Sequence, residues 1–494
     1  MKQTPNLAQY FESFRQNIIG IDEVIDTPYG VMPLIYTDWT ASGRLYAPIE
    51  QKMAEDFGPF IANTHTKTSL CGNLMTTAYY QAREIIKQHV KANANDVLIM
   101  TGHGMTGAIN KLQRILGLKL HENFKNRIHL SENERPIVFI THMEHHSNQT
   151  SWLETIADVE IIPYKDAKNI DFEAFETRLK HYQNRKLKIA SVSACSNVTG
   201  LQPDYYKIAD LIHQYNGYCF VDFACSAPYV NIDMHPNEKQ QLDAIFFSPH
   251  KFLGGPGTSG VLIFNQKLYH NHIPDHPGGG TVLWTNPWQE HRYFDAIEMR
   301  EDGGTPGFLQ TIKTALAIKL KEDMGVPNIL AREHEILQKI LPELQQISNV
   351  NLLAPEFTDR LGVISFNIEG LPHNLGVKIL NDRFGIQTRG GCSCAGTYGH
   401  ILLGIDQQKS HQIIKEIENG NEANKPGWIR LSLHPTTSNA EVAYIINAIR
   451  ELAAHHKDWQ KDYIFVNGVC RHRSYDDSQK LNKIVQSMFV FKKK

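Results

Sequence analysis

The chain has 494 residues, of which 41% are hydrophobic and 21% are charged, as in a globular protein of about two to four domains. Its 50 Lys and Arg nearly equal its 52 Asp and Glu, which argues against the broad positive field of a nucleic-acid-binding or polybasic membrane-surface protein. Seven cysteines are too few for a disulfide scaffold, no apolar run approaches ~20 residues, and the first residues lack a secretory signal pattern. We therefore expect a cytoplasmic protein with neither nucleic acid nor a membrane as partner.

Strand-like and helix-like segments alternate through the middle of the chain. Short apolar runs predict strands over 96–100, 136–140, 159–164, 187–194, 218–223, 244–248 and 259–264. Between them, apolar residues at helical spacing predict helices, for example over 145–156 and around Ile208–Tyr215. This alternation predicts an α/β fold with a mostly parallel sheet covered on both faces. Ligands of such sheets bind beyond the carboxyl ends of the strands.

The pattern changes after Gly278–Gly280. A long helical region begins near Gly307, and a smaller α/β pattern begins near residue 340, with strands over 362–368 and 428–433. We divide the chain into an N-terminal segment (1–49) that packs with the small domain, a large domain (50–315), a small C-terminal domain (316–460) and a tail (461–494) without an assigned role.

Two residues at predicted strand ends suggest chemistry. Lys251 follows a strand in FSPHKFLGGPG, beside His250 and close to Ser248. Such a lysine can form a Schiff base with an aldehyde cofactor, although a surface lysine in a loop gives the same pattern. Asp222 ends the strand YCFVDF, where a buried acid needs a partner such as a protonated pyridine nitrogen. A helix cap or an internal salt bridge is an equally ordinary role for it.

Three further strand ends carry polar residues. Thr106 lies in the turn Gly104–Gly107, where free backbone N–H groups favour an anion, although plain glycine-rich turns are common. His145, in THMEHHSN, is placed to stack over a flat cofactor or to cap a helix, and His146 competes with it. Asn197, in ACSNVTG, is placed to bond a ring oxygen or a substrate carboxylate, or simply to form a turn.

In this order and placement, the segments resemble the class V aminotransferases of fold type I, which use pyridoxal 5′-phosphate (PLP). The resemblance covers about residues 36–455 and is strongest in GMTGAIN, MEHHSN, SNVTG, VDFA, FSPHK and GGTPG. It implies a fold type I transferase with a large PLP-binding domain and a smaller C-terminal α/β domain.

The resemblance also implies a role for each residue. Lys251 corresponds to the Schiff-base lysine and Thr106 to the phosphate-turn threonine, while His250 and Ser248 correspond to contacts of the phosphate or the lysine. His145 occupies the ring-stacking position and Asp222 the pyridine-nitrogen position. Thr305, in GGTPG, resembles a threonine that reaches the partner subunit's phosphate, which implies a homodimer with shared active sites. Cys225 is a departure, since many desulfurases have a Gln there and a thiol is a weak donor.

The reaction depends on residues of the small domain. Arg430, in WIRLSL, matches the family's substrate-carboxylate arginine, with a surface salt bridge as the alternative. The segment Arg389–Gly396 (RGGCSCAG) resembles the R-x-G-x-x-C-A motif of cysteine desulfurases, with Arg389 a further substrate contact and Cys394 the nucleophile. In that chemistry a thiolate attacks the sulfur of the bound cysteine, and an arginine nearby favours the thiolate.

Other roles for the two thiols stay open. Cys394 is alternatively a structural thiol, and with Cys392 it is a redox pair, a persulfide relay or half of a metal site without a second cysteine pair. The family's usual His positions are Cys392 and Ser393 here. His65 and Lys67, in NTHTKTS, are either substrate contacts or a solvated loop.

The favoured function is PLP-dependent removal of sulfur or selenium from a cysteine-like amino acid, giving alanine and a persulfide on Cys394. A sulfur-accepting protein is a further candidate partner, and no metal is expected. The alternative is a PLP-dependent aminotransferase, epimerase or side-chain lyase acting on another amino acid. A non-catalytic binding or sulfur-relay protein is the least favoured, because Lys251 and Asp222 have little use without cofactor chemistry.

Overall fold

The computed structural model of the protein describes residues 6–66, 68–125, 127–420, 425–466, 469–476 and 478–491. The N-terminal segment contains α1 (Leu7–Arg15), β1 (Val24–Thr27), β2 (Gly30–Pro33) and β3 (Ile35–Tyr36). The elements that follow are α2 (Ala47–Gln51), α3 (Leu70–His89), β4 (Asp96–Thr101), α4 (Gly104–Ile115), α5 (Glu122–Lys125), β5 (Ile137–Ile140), α6 (His146–Leu153), β6 (Asp158–Ile161), α7 (Phe172–His181), β7 (Lys188–Ser193), α8 (Tyr205–Gln214), β8 (Tyr218–Asp222), β9 (Ala244–Phe247), β10 (Gly260–Asn265), β11 (Val282–Thr285), β12 (His291–Tyr293), α9 (Ile297–Arg300) and α10 (Phe308–Met324).

The last third of the chain forms a second set of elements. They are α11 (Val326–Gln345), β13 (Val350–Leu352), β14 (Val363–Ile368), α12 (His373–Phe384), β15 (Ile386–Gln387), β16 (Arg389–Gly391), α13 (Gly396–Leu402), α14 (Gln407–Glu418), β17 (Trp428–Ser432), α15 (Asn439–Trp459), β18 (Tyr463–Val466), β19 (Val469–His472) and α16 (Ser478–Met488). No helix among the described residues is long and apolar enough to cross a bilayer.

A seven-stranded sheet forms the centre of the large domain. Its strand order is β4-β10-β9-β8-β7-β5-β6, and β10 alone is antiparallel to its neighbours. Adjacent residues of one strand lie in different cores: Phe247 packs on one face of the sheet and Phe246 on the other. Because both faces are covered, strands such as β5 and β9 are buried along their whole length. The predicted α/β fold with a mostly parallel, doubly covered sheet is confirmed.

The small domain has its own core around a four-stranded antiparallel sheet, β13-β14-β17-β16. The long helical region predicted from Gly307 is divided into α10 and α11 at Gly325, whose φ of +74° favours glycine. Side chains of α10, including Ile318 and Met324, pack in the core of the large domain. The domain limits predicted from the sequence stay a prediction.

The N-terminal segment contacts both domains. Strand β3 pairs in parallel with β15 of the small domain, and Arg15 forms an ion pair of 2.7 Å with Glu441 on α15. Phe11, Trp39 and Ile49 pack into the large core instead. The segment therefore connects the two cores, and it brings the residues after β3 to the gap between them.

Candidate active site

A cavity of about 280 Å³ lies where the carboxyl ends of β7, β8 and β9 face the small domain. Ten of the predicted site residues line it: Thr106, His145, Asn197, Asp222, Ser248, His250, Lys251, Arg389, Cys394 and Arg430. Thr305 does not; it is exposed and lines a neighbouring cavity that shares His103 and Thr106 with the first. His65 is exposed and lines a separate surface cavity, and Lys67 lies outside the described residues.

Lys251 and Asp222 form the floor of the cavity. Lys251 ends a short 3-10 turn, Pro249–Lys251, directly after β9. Burial lowers the pKa of Lys251, which the negative charges of Cys225 and Asp222 partly oppose. Asp222 is the last residue of β8 and is 4% exposed. Burial raises its pKa to about 7, although its Oδ1 accepts a hydrogen bond of 2.8 Å from Ala224 N. A cationic partner would favour the ionised form of this carboxyl.

The first turn of α4 closes one end of the cavity. Gly104 has φ +59°, and a Cβ there would lie 2.8 Å from Ser248 Oγ. Ser248 Oγ accepts a hydrogen bond of 2.8 Å from Met105 N, which joins this turn to the end of β9. The N-cap residue of α4, His103, makes no side-chain hydrogen bond to the first turn. The N–H groups of that turn, with the hydroxyls of Thr106 and Ser248 beside His250, form a cradle suited to an anion.

His145 and His146 have different surroundings. His145 caps α6, and its Nδ1 accepts a hydrogen bond of 3.1 Å from Ser147 N, which leaves the ring proton on Nε2. Burial, with the positive charge of Lys251, lowers the pKa of His145 to about 3, so the ring is neutral. His146 Nε2 accepts a hydrogen bond of 3.0 Å from Gly396 N and so holds the loop of the small domain. Of the two histidines, His145 is the one that lines the cavity.

Glu144 supports this wall from below, and the sequence did not single it out. It is fully buried and accepts hydrogen bonds from Thr141, Asn148 and Ser193. These bonds join the end of β5, helix α6 and the end of β7. In the sequence, Glu144 is only an acidic residue directly before His145, and that pattern is equally typical of a solvated loop.

Asp38 is a second residue that the sequence did not indicate, and it joins both arginines. Its Oδ1 lies 2.7 Å from Arg430 Nη2, and its Oδ2 lies 2.9 Å from Arg389 Nε. Arg430 is 3% exposed, also donates to Asn197 O, and keeps a buried Nε without a partner. Two guanidinium groups share one carboxylate, so one positive charge is left to attract an anionic ligand.

Asn197 also has an unused polar atom in the cavity. Its Nδ2 donates a hydrogen bond of 2.6 Å to Ser393 O, while its buried Oδ1 has no partner. A buried acceptor without a donor is costly, and this one suits a ligand group that donates. Nearby, Cys195 and Cys225 line the same cavity, and a hydrogen bond from Cys195 lowers the pKa of Cys225.

The loop after β16 presents Cys394 at the cavity. Ser393 and Cys394 have φ of +51° and +57°, a left-handed conformation that is costly for residues other than glycine. Backbone contacts hold it: His146 N donates to Cys394 O at 2.7 Å, while Asn197 holds Ser393 O. Cys394 is exposed, whereas Cys392 is half-buried against an apolar cluster that includes Trp428. Cys392 and Cys394 are two residues apart in the sequence, but the strained backbone gives their thiols different surroundings.

The family model for class-V aminotransferases matches residues 35–445. The chain belongs to the class V aminotransferase family. Members of this family depend on PLP, and the predicted family is confirmed. Within the described residues, no group of three or more His, Cys, Asp or Glu side chains is placed to hold a metal ion.

Two relatives are described in the same words. A probable cysteine desulfurase of Halalkalibacterium halodurans is 29% identical over 381 residues, which cover 75% of this chain and 86% of that protein. A probable cysteine desulfurase of Staphylococcus epidermidis is 28% identical over 369 residues, covering 73% and 83%.

Solved structures confirm the fold. An apo cysteine desulfurase from Thermococcus onnurineus superposes with a TM-score of 0.71 at 23% identity and covers 90% of this chain and 98% of its own. The cysteine desulfurase CsdA of Escherichia coli gives a TM-score of 0.68 at 20% identity, covering 92% and 100%. The prediction of a fold type I architecture is confirmed.

Proposed function

We propose that this protein is a PLP-dependent enzyme that removes sulfur, or selenium, from a cysteine-like amino acid and keeps it as a persulfide on Cys394. The observation that carries the proposal is the position of Cys394. Its exposed thiol stands on a strained loop that lines the same cavity as Lys251 and the buried Arg430. The names of the relatives, probable cysteine desulfurases, support the same reaction.

The residues of the cavity fit the cofactor. The glycine turn, Thr106, Ser248 and His250 would hold its phosphate, and the ring of His145 would stack on its pyridine ring. Asp222 would pair with the pyridine nitrogen, which gives its buried carboxyl the cationic partner it needs. Lys251 would bind the aldehyde covalently. When bound, PLP supplies an electron sink for the substrate carbon next to the amino group.

The small-domain residues would orient the substrate. The guanidinium of Arg430, held by Asp38 and Asn197 O, would bind the substrate carboxylate with its free donors. Arg389 would add positive charge at the more exposed side of the same cavity. Asn197 Oδ1 would accept a hydrogen bond from a donor of the bound amino acid or of the cofactor ring.

Lys251 and His145 would transfer protons during the reaction. Burial lowers the pKa of Lys251, so its Nζ loses a proton more readily than a solvated lysine and can accept the one on the substrate Cα. His145 keeps its proton on Nε2, the nitrogen available for proton exchange inside the cavity. Lys251 ends the short 3-10 turn after β9 and His145 is the N-cap of α6, so regular structure holds both residues, which favours accurate positioning.

Cys394 would act as the nucleophile. Its thiolate attacks the substrate Sγ, the bond between Cβ and Sγ breaks, and the electron pair stays with Cβ. Protonation of Cβ gives alanine, and the sulfur stays on Cys394 as a persulfide, so atoms and electrons balance. Exposure of Cys394 leaves this sulfur accessible to a thiol or to a sulfur-accepting protein.

The test compares Cys394→Ala with Cys392→Ala, a matched variant two residues away whose thiol packs on an apolar cluster. With cysteine as substrate, we expect Cys394→Ala to lose alanine and sulfide formation by more than about a hundredfold while it still binds PLP. Cys392→Ala should keep most of the activity. Full activity in Cys394→Ala would contradict the proposal, and amino transfer to keto acids by both variants would favour an aminotransferase.

The assembly and compartment are further parts of the proposal. Thr305 is exposed beside a cavity that shares Thr106 with the candidate site, as expected if a partner subunit's phosphate approaches it in a homodimer. Light scattering of the purified protein tests this, and a monomer that is fully active would contradict it. All seven cysteines are unpaired, which fits a reducing compartment such as the cytoplasm.

A further inference from the structure

Helix α16 is unusual in its exposure. From Lys480 to Phe491 every side chain is exposed, and the helix is tied to the rest of the chain by an ion pair between Lys480 and Asp26. It has 11 residues, and isolated helices shorter than about 12–15 residues are marginally stable in water. The family match ends at residue 445, so α16 lies outside the part shared with the family. A helix of this kind needs a surface to stabilise it.

One face of α16 is apolar. Leu481, Ile484, Val485 and Met488 follow the spacing of a single helical stripe and are 53%, 40%, 49% and 73% exposed. Ser, Asn, Gln and Lys residues occupy the other side. This division is that of an amphipathic helix, and its apolar face stays exposed against the part of the chain that the structure describes.

The residues directly after the helix extend the apolar surface. Phe489, Val490 and Phe491 are 84%, 70% and 96% exposed. Three consecutive side chains point in different directions, so one groove of a protein partner would bury part of them. A fluid hydrocarbon layer accommodates all three, and aromatic rings favour its boundary with water.

The C-terminal region that contains α16 differs in net charge from the rest of the molecule. Residues 463–494 contain seven Lys and Arg against two Asp, whereas the other residues contain 43 against 50. An anionic surface would attract the basic tail and repel the acidic body, which fixes an orientation. Two copies of the tail would repel each other, so self-association through this face is disfavoured.

We propose that α16 and the apolar residues after it form an anchor that lies in the surface of an anionic lipid bilayer. The apolar stripe faces the acyl chains and the lysines face the headgroups. The expectation of a protein without a membrane partner was based on the nearly neutral balance of the whole chain, which conceals this local charge. The candidate active site would then work on a protein held at a membrane surface.

The experiment measures cosedimentation of the full-length, PLP-loaded protein with vesicles. One set is phosphatidylcholine alone, and the other contains one third phosphatidylglycerol. We expect binding to the anionic vesicles, a gain of helical circular dichroism on binding, and weaker binding at high salt. Each lysine near an anionic surface is worth roughly a fivefold change in partitioning.

A matched pair of variants separates insertion from simple charge attraction. Ile484→Glu with Val485→Glu adds two negative charges to the apolar face, and Gln486→Glu with Ser487→Glu adds two to the polar face. We expect the first variant to bind at least tenfold more weakly than the second. Equal losses would mean that the apolar face does not insert, which overturns the proposal.

Two other results would also overturn it. One is no binding of the wild-type protein to anionic vesicles. The other is a smaller mass by light scattering for the Ile484 and Val485 variant in the absence of lipid, which would assign the face to a protein interface instead.

Discussion

The cavity has two walls of different construction. The large-domain wall consists of strand ends, with Asp222 and Lys251 placed by a sheet that is buried on both faces. The small-domain wall consists of Arg430 on the buried strand β17, the edge strand β16 and the loop after it, where Cys394 is exposed and has a left-handed backbone. One wall is set by packing, and the other by a few hydrogen bonds that hold a strained segment.

This difference separates cofactor binding from the choice of reaction. Groups that would bind PLP come from the rigid wall, where small displacements are costly. Groups that would choose the substrate and the bond to be broken come from the loop and from Arg430, which Asp38 holds in place. Variants of the large-domain wall should therefore abolish every activity, whereas variants of the small-domain wall should change the substrate or the product and leave the cofactor bound.

Replacement of Lys251 should have the largest effect. Lys251→Ala removes the group that would bind the aldehyde and move the substrate proton, and we expect a loss of at least about a thousandfold in alanine formation. Lys251→Arg keeps the positive charge beside Asp222 and should be equally inactive. Mass spectrometry after borohydride reduction should detect a pyridoxyl adduct on the wild-type protein and not on either variant. Substantial activity in either variant would contradict the role of Lys251.

Asp222→Asn should change how stability depends on pH in the cofactor-free protein. Because burial raises the pKa of Asp222 to about 7, the folded protein keeps this proton above the carboxyl's usual pKa of about 4, where the unfolded chain releases it. This residue therefore lowers the free energy of unfolding as the pH rises from about 4 to about 7. Asn cannot ionise, so the variant should gain stability relative to the wild type over that range, on the order of a few kcal/mol.

Urea unfolding of both cofactor-free proteins at about pH 5 and about pH 8 measures this difference. With PLP added, the order should reverse, because the wild-type carboxylate then has a cationic partner and the Asn does not. A difference between the two proteins that is independent of pH would show that Asp222 does not titrate in this range.

Variants of the arginines test the small-domain wall. Arg430→Lys removes the planar fork from a buried position, and we expect KM for the amino acid to rise by ~10- to 100-fold with PLP affinity unchanged. Arg389→Lys is the matched control, because the Arg389 side chain is 50% exposed, and its KM should rise by only a few fold. A loss of PLP affinity in Arg430→Lys would contradict the assignment of cofactor binding to the large-domain wall and of substrate binding to the small-domain wall.

The sequence predicted the large-domain wall well. The spacing of apolar residues predicted β4, β5 and β7 to β10 to within a few residues. Because parallel strands place their carboxyl ends together, one cavity brings together Thr106, His145, Asn197, Asp222 and Lys251. Periodicity does not give strand direction, and the antiparallel β10 was not predicted. Direction depends on the route of the chain between strands, which local patterns do not record.

The small-domain wall was less predictable. Asp38 follows a two-residue strand, and its contact with Arg389 and Arg430 joins positions more than 350 residues apart. Glu144 likewise acts through residues of another strand. A single sequence has no signal for such long-range pairs, and the left-handed backbone at Ser393 and Cys394 follows from contacts with α6 and Asn197 instead of from local preference.

The pair of variants with the smallest expected effect distinguishes the cost of backbone strain from a change in the shape of the phosphate cradle. Gly104→Ala and Gly117→Ala both place a Cβ at positive φ, +59° and +70°, which costs about 1–2 kcal/mol of stability in each. The two sites differ in their surroundings: a Cβ at Gly104 meets Ser248 Oγ at 2.8 Å, whereas Gly117 has nothing within 4 Å. The midpoint temperature of thermal unfolding should thus fall in both variants. PLP affinity, measured by titration, should fall about tenfold in Gly104→Ala alone. Equal PLP affinity in the two variants would mean that the first turn of α4 does not bind the phosphate.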